Sequence, residues 1–587
     1  WYTITADGSG KEKQLTNDAQ NNRDITLNAD RTKGVYLSGR NEVRVIDLKT
    51  LQSETVVREE LWGFQNSTPS VSPNGEYILF TAKRNFEEDI FLYNLLDKKL
   101  INLTQTGITE RSPFWSPDGK YIYFTSNRYR PAYPYGLSDG RVYRVALEKF
   151  ADDFKSDQYA KLFEEKPKEE PKKEDTKGKG KKEEPKPVAP PIKRYTLDLE
   201  DILDRIALVS PNFGTQGNPV VFQKEDKTWV IYPSNHSENR NNLWLTTYEK
   251  FEQPKTEKID GATTGSAFIV KAGDKFYTLI NGTVHSLNLE SKKTEKIDIS
   301  FTFRRNLKDE FNQMFIETWA NVKENFYNET FHGLDWDAKH DQYAAFLPHV
   351  RTRSDLRVLI TDLLGELNSS HTGFNSSGDE EKTFYTTRTL ATGVLFDEQK
   401  PYTVSSIVRH SSADKKGINV LPGDVLTKVN GEPVDPTQNR EQYFIKPSLD
   451  SEISLTFKRG SNEHTVKIQP QGYFEVNDLL YDEWIANNQR MVDEKSNKRI
   501  AYAYMKNMGQ GELNKFLIDM TSEAYHRDAL ILDLRYNTGG NVHDNVLQFL
   551  SQRPYLQWKY REGKLTSQPN FTPAGKPIVL LINEQSG

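Results

Sequence analysis

Three short strings in this chain of 587 residues carry groups whose types and spacing suit chemistry. The first, Ser369-Ser370-His371-Thr372-Gly373, sets an imidazole beside hydroxyls. Histidine titrates close to neutral pH, so one held on a loop is suited to general-base work. The same string also reads as a helix-end loop whose hydroxyls satisfy orphaned backbone groups. The second string, Asp533-Leu534-Arg535-Tyr536-Asn537-Thr538-Gly539-Gly540, ends in paired glycines. Glycines there turn backbone N–H groups into a crevice, where they form half of an oxyanion hole or bind a phosphate. No Lys-Ser/Thr follows them, which excludes a Walker-type loop. The third string, Asn583-Glu584-Gln585-Ser586-Gly587, places a serine after an apolar run.

Each string needs an element to hold it. Leu307, Phe311, Met314, Thr318, Val322 and Phe326 recur at helical spacing, and so do Leu356, Leu359, Ile360, Leu363, Leu364 and Leu367. The second set predicts a helix over 354–367 that runs out at Asn368, a residue tolerant of the left-handed region, and delivers His371 onto the next loop. Around the glycines the pattern predicts a strand at 500–504, a helix at 512–525, a buried strand at 529–534, a helix at 542–550 and another buried strand at 577–582. That order makes α/β crossover units.

The first half of the chain repeats. Asn28-Ala29-Asp30, Ser72-Pro73-Asn74-Gly75 and Ser116-Pro117-Asp118-Gly119 start 44 residues apart, and each is followed by strands of alternating apolar residues. Four short strands per repeat predict a β-propeller. Residues 1–16 match the end of a preceding blade, so the chain is expected to begin inside one. Weaker blades follow at 219–247 and 267–289. Between strong and weak repeats, 164–191 is almost wholly Lys, Glu and Pro. Its composition predicts a disordered insertion between propeller strands, with an ionic tether to another protein as the alternative.

Composition narrows the function classes. Apolar residues at 36% and charged residues at 27% describe a globular chain of several domains, without the apolar run that a bilayer-spanning helix needs. A net charge of -5 gives no reason to expect nucleic acid or an anionic membrane as partner. The absence of cysteine removes disulfides, a thiol nucleophile and Cys-ligated zinc, and His-Glu-x-x-His is also missing. No metal or cofactor is expected.

Between the helices and the glycines, 385–471 resembles a PDZ domain. Gly393-Val394-Leu395-Phe396 is similar to its carboxylate-binding loop, and Leu421-Pro422-Gly423-Asp424 to its Gly-Asp turn. The loop either binds a peptide C-terminus beside a strand edge or serves the fold alone. A PDZ domain between a Ser-His segment and one carrying Asp-Leu-Arg-x-Asn-x-Gly-Gly, then Leu-Ile-Asn-Glu-x-Ser-Gly, resembles the tail-specific or C-terminal-processing serine peptidases. The propeller and the Ser370-His371 pair are similar to their tricorn branch.

The resemblance implies a propeller over 1–300, a helical peptidase subdomain over 304–384, the PDZ domain over 385–471 and an α/β, crotonase-like core over 472–587. It implies that Ser370 and His371 belong to a Ser-His-Ser-Glu tetrad with His371 as base, and that Gly540 or Gly539 gives an oxyanion N–H. The nucleophilic serine, in a Ser-Asp-Gly sequence, and the tetrad Glu are expected beyond Gly587, leaving Ser586 as a structural loop serine and a chain ending at Gly587 inactive. Peptides or unfolded chains would be the substrate, filtered by the propeller. A homo-oligomer in the periplasm or cell envelope, with the cytoplasm as alternative, completes the expectation. A prolyl-oligopeptidase-like enzyme would need a Gly-x-Ser-x-Gly elbow, which is absent. A noncatalytic propeller-PDZ scaffold is the rival from another class.

Overall fold

The computed structural model describes residues 1–587 apart from 6, 8, 19, 62–67, 85–86, 132–138, 152–193, 212, 237–239, 264–267, 384–387, 447–451, 571–572 and 574, and the side chains of 388, 446 and 523. It falls into two compact units, Trp1–Phe374 and Asn375–Gly587, which divide inside the segment 304–384.

The 44-residue repeat becomes four-stranded antiparallel sheets, the blades of a propeller. The first holds Asn22–Leu27, Lys33–Ser38, Glu42–Asp47 and Ser53–Arg58, and the second Ser70–Val71, Tyr77–Arg84, Glu87–Asn94 and Lys99–Asn102. The turn residues explain the repetition. Ser72 Oγ accepts from Tyr77 N at 2.9 Å and Ser116 Oγ from Tyr121 N at 2.9 Å, while Gly75 and Gly119 supply the positive φ that closes each turn. Alternation then sends successive side chains to opposite neighbours. Ile78 and Phe80 pack on Val35, Leu37 and Val43 of the first blade, whereas Tyr77 and Leu79 pack on Trp115, Ile122 and Phe124 of the third. Both faces of each sheet are thus buried, and truncating a fully buried residue such as Leu79 to alanine costs about 2–5 kcal/mol.

The third blade is Glu110–Trp115, Tyr121–Ser126, Arg141–Ala146 and Ile206–Leu208. Its last two strands are hydrogen-bonded neighbours although 152–193 lie between them. The expected insertion at 164–191 falls outside the described residues. The weaker repeats form four strands each, spanning Val220 to Thr263 and Ile269 to Lys296, joined by one parallel bridge between Asp260 and Lys293. Near the N-terminus, Tyr2–Thr3 pairs with Lys13–Gln14 as a two-stranded antiparallel sheet.

The rest of the first unit is helical: α1 (Leu307–Asn325), α2 (Trp336–Ala344) and α3 (Arg353–Gly365) around Phe311, Phe315, Trp336, Ile360 and Leu363. The sequence pattern had not indicated α2. Helix α3 begins one residue before the expected 354 and ends at Gly365, so Leu367 packs from the turn that follows rather than from the helix.

In the second unit, short strands enclose Val404, Leu426, Ile453, Leu455 and Phe457. Asp424 holds this domain together, accepting Leu421 N at 2.9 Å and a forked pair of bonds from Arg459, both at 2.7 Å. Two strands matter below, β1 (Val394–Phe396) and β2 (Val404–Ile407), which pair antiparallel. Next comes α4 (Tyr473–Ser496), a helix of 24 residues that the sequence pattern did not reveal. The α/β core has a parallel sheet of β3 (Ile500–Tyr504), β4 (Ala529–Asp533) and β5 (Ile578–Leu581), in that order. Helices α5 (Gln510–Thr521) and α6 (His543–Ser551) complete it, with a 3₁₀ turn at Glu523–His526 replacing the expected end of α5. One correction is needed. The apolar run of β5 reads as a buried strand, yet Val579 is 54% and Leu580 53% exposed: successive side chains point to opposite faces, and among the described residues neither face of β5 is fully covered.

Candidate active site

The histidine string stands where α3 ends. Thr352 caps the start of α3 in a reciprocal pair with Asp355, and the buried Leu367 anchors the chain beyond its end. Asn368 then takes the expected left-handed conformation, at φ 44°. His371 adopts it too, at φ 60°, a conformation uncommon outside glycine and one that cluster sites tolerate when the surroundings fix it. Thr372 Oγ1 ties the loop down by donating to the Ser369 carbonyl at 3.0 Å. His371 and Ser370 are exposed, and His371 lines a cleft of about 430 Å³ with Met314, Thr318, Leu364 and Phe374. Neither the Ser370 hydroxyl nor the His371 ring has a hydrogen-bond partner among the described residues.

The glycine string lies in the second unit, at the carboxyl end of β4. Its amides can be followed one by one. Arg535 N donates to Asp533 Oδ1, Tyr536 N to Asn583 Oδ1, Asn537 N to the Leu534 carbonyl and Thr538 N to the Lys506 carbonyl, at 3.0 to 3.1 Å. Gly539 N donates to Asn537 Oδ1 at 2.8 Å, and Asn541 N and Val542 N share the Met508 carbonyl at 2.9 and 3.1 Å. Only Gly540 N, of residues 535–542, has no acceptor among the described residues. The bridge between Met508 and Gly540 explains this, since its bonds run through Gly539 O and Asn541 N and turn the intervening amide away. Gly540 must be glycine. Its φ is 140°, and an added Cβ would lie 2.4 Å from the Met508 carbonyl oxygen. Of the two glycines considered, the geometry favours Gly540 as the oxyanion donor, because the N–H of Gly539 is already used.

Two groups around this turn went unnoticed in the sequence as contributors. Asn537 is buried, and besides accepting from Gly539 it donates through Nδ2 to the Met505 carbonyl at 2.8 Å. Asp533, fully buried at the end of β4, is held by Arg535 Nη2 at 2.6 Å and Tyr502 Oη at 2.8 Å. Burial works to raise the Asp533 pKa, but the bonds from Arg535 and Tyr502 outweigh it and leave the carboxyl below its ordinary value. Burial and the same carboxylate push the Tyr502 phenol up. The signal available in the sequence was the spacing Asp-x-Arg-x-Asn itself.

The third string folds back on the second. Gly587 N donates to the Asn537 carbonyl at 2.6 Å, and the Cβ position of Gly587 lies 3.0 Å from Gly539 N. Ser586 sits within a turn closed by its own N–H to the Asn583 carbonyl at 3.0 Å.

In the PDZ-like domain, Gly393 has φ 82°, and a Cβ there would lie 2.0 Å from Ser411 Oγ. Val408 N donates to the Gly393 carbonyl at 2.8 Å, and ladder alternation then assigns the Leu395 amide to β2. Val394 N bonds to Thr392 Oγ1 at 3.3 Å. This leaves the Phe396 amide facing outward on an edge that, among the described residues, pairs with nothing beyond β2. The string therefore offers a strand edge rather than a cluster of open amides.

Comparison with known proteins gives four domain matches: a TolB β-propeller domain over 2–159, a tricorn protease C1 domain over 307–365, a PDZ domain over 391–469 and peptidase family S41 over 499–587. Tricorn protease homolog 1 of Streptomyces coelicolor is 27% identical over 293 residues, 47% of this chain and 26% of that protein. The tricorn protease homolog of Saccharolobus solfataricus is 28% identical over 292 residues, again 47% and 26%. The tricorn protease of Thermoplasma volcanium is 25% identical over 361 residues, 58% of this chain and 33% of that one. The alignments thus span about a quarter to a third of these relatives. The crystal structure of the tricorn protease superposes over 99% of this chain and 56% of that one, with TM-score 0.70 at 19% identity, which shows a shared fold.

Proposed function

The chain is tricorn-like, with a propeller, tricorn C1, PDZ and family S41 domains in that order, and on that premise we propose that it serves the hydrolysis of peptides through an acyl-enzyme. His371 takes the proton of a serine hydroxyl as its oxygen bonds to the scissile carbonyl carbon. The resulting oxyanion accepts from Gly540 N–H and a second amide near the nucleophile. Collapse breaks the C–N bond, His371 returns the proton to the leaving amine, and water then releases the acyl group by the same steps. The serine is expected in a Ser-Asp-Gly sequence following Gly587, and Ser370 acts through His371.

One observation carries this reading: of the amides from Arg535 to Val542, only that of Gly540 is without an acceptor among the described residues. Such a donor, fixed by its neighbours and open on one side, is what a developing oxyanion requires. The propeller's filtering role draws support from a cavity of about 1010 Å³ onto which the inner strands converge, with Thr26, Val71, Phe114, Val220 and Ile269 in its wall. The test is turnover of fluorogenic peptides by the full-length gene product together with mass-spectrometric mapping of a serine-directed phosphonate. Hydrolysis lost in His371→Ala and an adduct on the serine after Gly587 support the reading. A protein that binds peptides but neither cleaves them nor takes up the phosphonate is the scaffold instead.

A further inference from the structure

We propose that Asn537 is a positioning residue whose carboxamide keeps the Gly540 N–H aimed outward for the oxyanion; the inference rests on the acyl-transfer reading above. Asn537 is 1% exposed, and three of its polar groups each bind a different stretch of chain. Nδ2 donates to the Met505 carbonyl just past β3, Oδ1 accepts from Gly539 N, and the backbone carbonyl accepts from Gly587 N. The side chain therefore stitches the end of β3 to the glycine turn, while the main chain receives the loop after β5.

The consequence for Gly540 follows from competition among donors. Gly539 and Gly540 both have positive φ and little steric restraint of their own, so the turn could rotate either amide outward. With Gly539 N fixed on Oδ1, the Gly539 carbonyl is presented to Met508 N at 2.8 Å, and the peptide between the glycines is set. Its N–H, that of Gly540, then faces away from Met508. Without the carboxamide, Gly539 N loses its acceptor and the bridge to Met508 is left as the one restraint on that peptide among the described residues.

The chemistry separates two halves of the carboxamide. In Asn537→Ala both bonds vanish. In Asn537→Asp the acceptor for Gly539 N remains, but the second oxygen faces the Met505 carbonyl and repels it until protonated. Burial against that carbonyl raises the introduced carboxyl's pKa, and the protonated form donates as the amide did.

The experiment uses the full-length gene product, a fluorogenic tripeptide amide that the wild type cleaves, and the matching peptide aldehyde, whose serine adduct carries an oxyanion. For Asn537→Ala we expect kcat to fall about 10- to 100-fold with KM within about 3-fold, and aldehyde affinity to fall in step with kcat. For Asn537→Asp we expect the ratio of its kcat to that of wild type to rise about tenfold or more between pH 8 and pH 5.5, as the carboxyl protonates. Unchanged kcat and aldehyde affinity in a folded Asn537→Ala protein overturn the proposal. If that variant does not fold, a flat Asn537→Asp ratio overturns it. His371→Ala, run beside them, tells the failures apart: turnover retained there removes the acyl-transfer reading itself, whereas turnover lost there but kept in Asn537→Ala removes only the positioning role.

Discussion

The Ser586 hydroxyl donates to the Leu534 carbonyl at 2.8 Å and accepts from Asn583 N at 3.0 Å, so its proton and one lone pair are both engaged in tying the loop after β5 to the end of β4. A hydroxyl used in this way is a turn fastener, not a nucleophile awaiting a base. Ser586→Ala should lower stability by about 1 kcal/mol, the net worth of a partly buried hydrogen bond to a carbonyl that keeps Asn537 N as donor, and leave phosphonate labelling in place. Thermal melts and peptide mapping check both. An adduct on Ser586 would make it the nucleophile.

The loop position of His371 leads to the expectation that His371→Ala, in the full-length gene product, cuts kcat by several decades, on the order of the 10⁴-fold or greater loss that follows removal of a triad member. Its melting temperature should hardly move, because the ring is exposed and its loop is pinned by Thr372. Wild-type turnover would remove His371 from the mechanism.

Much of this was readable from the sequence, for reasons that differ from element to element. The blades were legible because Ser72 and Ser116 each accept from amides of the strand that follows, making the turn chemistry local, and because alternation survives when both faces are buried. Helix α4 was not. It starts at Gly472 without a capping side chain, and only Val476 along its length is fully buried, so neither a start signal nor a strong apolar stripe marks it. The exposure of β5 was hidden for a different reason, since an apolar run states only that a strand can be covered, and what lies on its far side is set by topology. At the site, the Asp-Leu-Arg-x-Asn-x-Gly-Gly string pointed to an amide donor, but the choice of Gly540 over Gly539 depends on Asn537 Oδ1 taking the Gly539 N–H and on the bridge to Met508, about 30 residues earlier in the chain.

Gly540 tolerates no side chain. In Gly540→Ala the new carbon meets backbone, with Met508 O at 2.4 Å and Met508 C at 2.6 Å, and the φ of 140° is itself open only to glycine. Strain and displacement of the Met508 segment together should cost more than about 2 kcal/mol, within the range of severe single substitutions, and abolish turnover. Gly539→Ala, whose Cβ position meets only Gly587 backbone at 3.8 Å, should be the milder of the two by melting temperature. The reverse order would contradict the turn geometry.

In the PDZ-like domain, Gly393→Ala places a carbon 2.0 Å from the buried Ser411 Oγ at a φ of 82°. The start of β1 should shift and its outward edge with it. If that edge captures peptides by strand addition, a fluorescein-labelled peptide with a free C-terminus should lose binding in fluorescence anisotropy, while the propeller's unfolding transition stays put. Equal binding by variant and wild type would leave the loop a purely structural role.

Replacing 164–191 by a short Gly/Ser linker should leave the melting temperature within a few degrees of wild type. The chain on either side is anchored without it: Tyr143, Arg144 and Val145 pair with Leu208, Ala207 and Ile206, and Asp198 N donates to the Leu147 carbonyl at 3.0 Å. Shortening a long connection changes its closure entropy by only about 1 kcal/mol. A large fall in melting temperature would mean that the removed residues pack on the blades.

Glu110 makes the propeller sensitive to pH in a direction that can be worked out. Its side chain is fully buried between the second and third blades, with Thr106 Oγ1 at 2.8 and 2.9 Å from its carboxyl oxygens and Arg128 Nη1 at 3.5 Å. Burial pushes its pKa up from 4.5 to about 7, more than Thr106 and Arg128 hold it down. The folded chain therefore keeps a proton there that the unfolded chain has released, over the window from about pH 4.5 to about pH 7. Where the folded state binds more protons, stability falls as pH rises. Across that window the loss attributable to Glu110 is about 3 kcal/mol at most, at 1.36 kcal/mol for each pKa unit. Glu110→Gln retains the shape and a donor without the titration, so the variant should lose that share of the decline. Denaturant unfolding of both proteins at pH 5 and pH 8 measures it: the wild type should lose more stability than the variant between the two. Parallel slopes would show that the Glu110 carboxyl is already ionised in the folded blade.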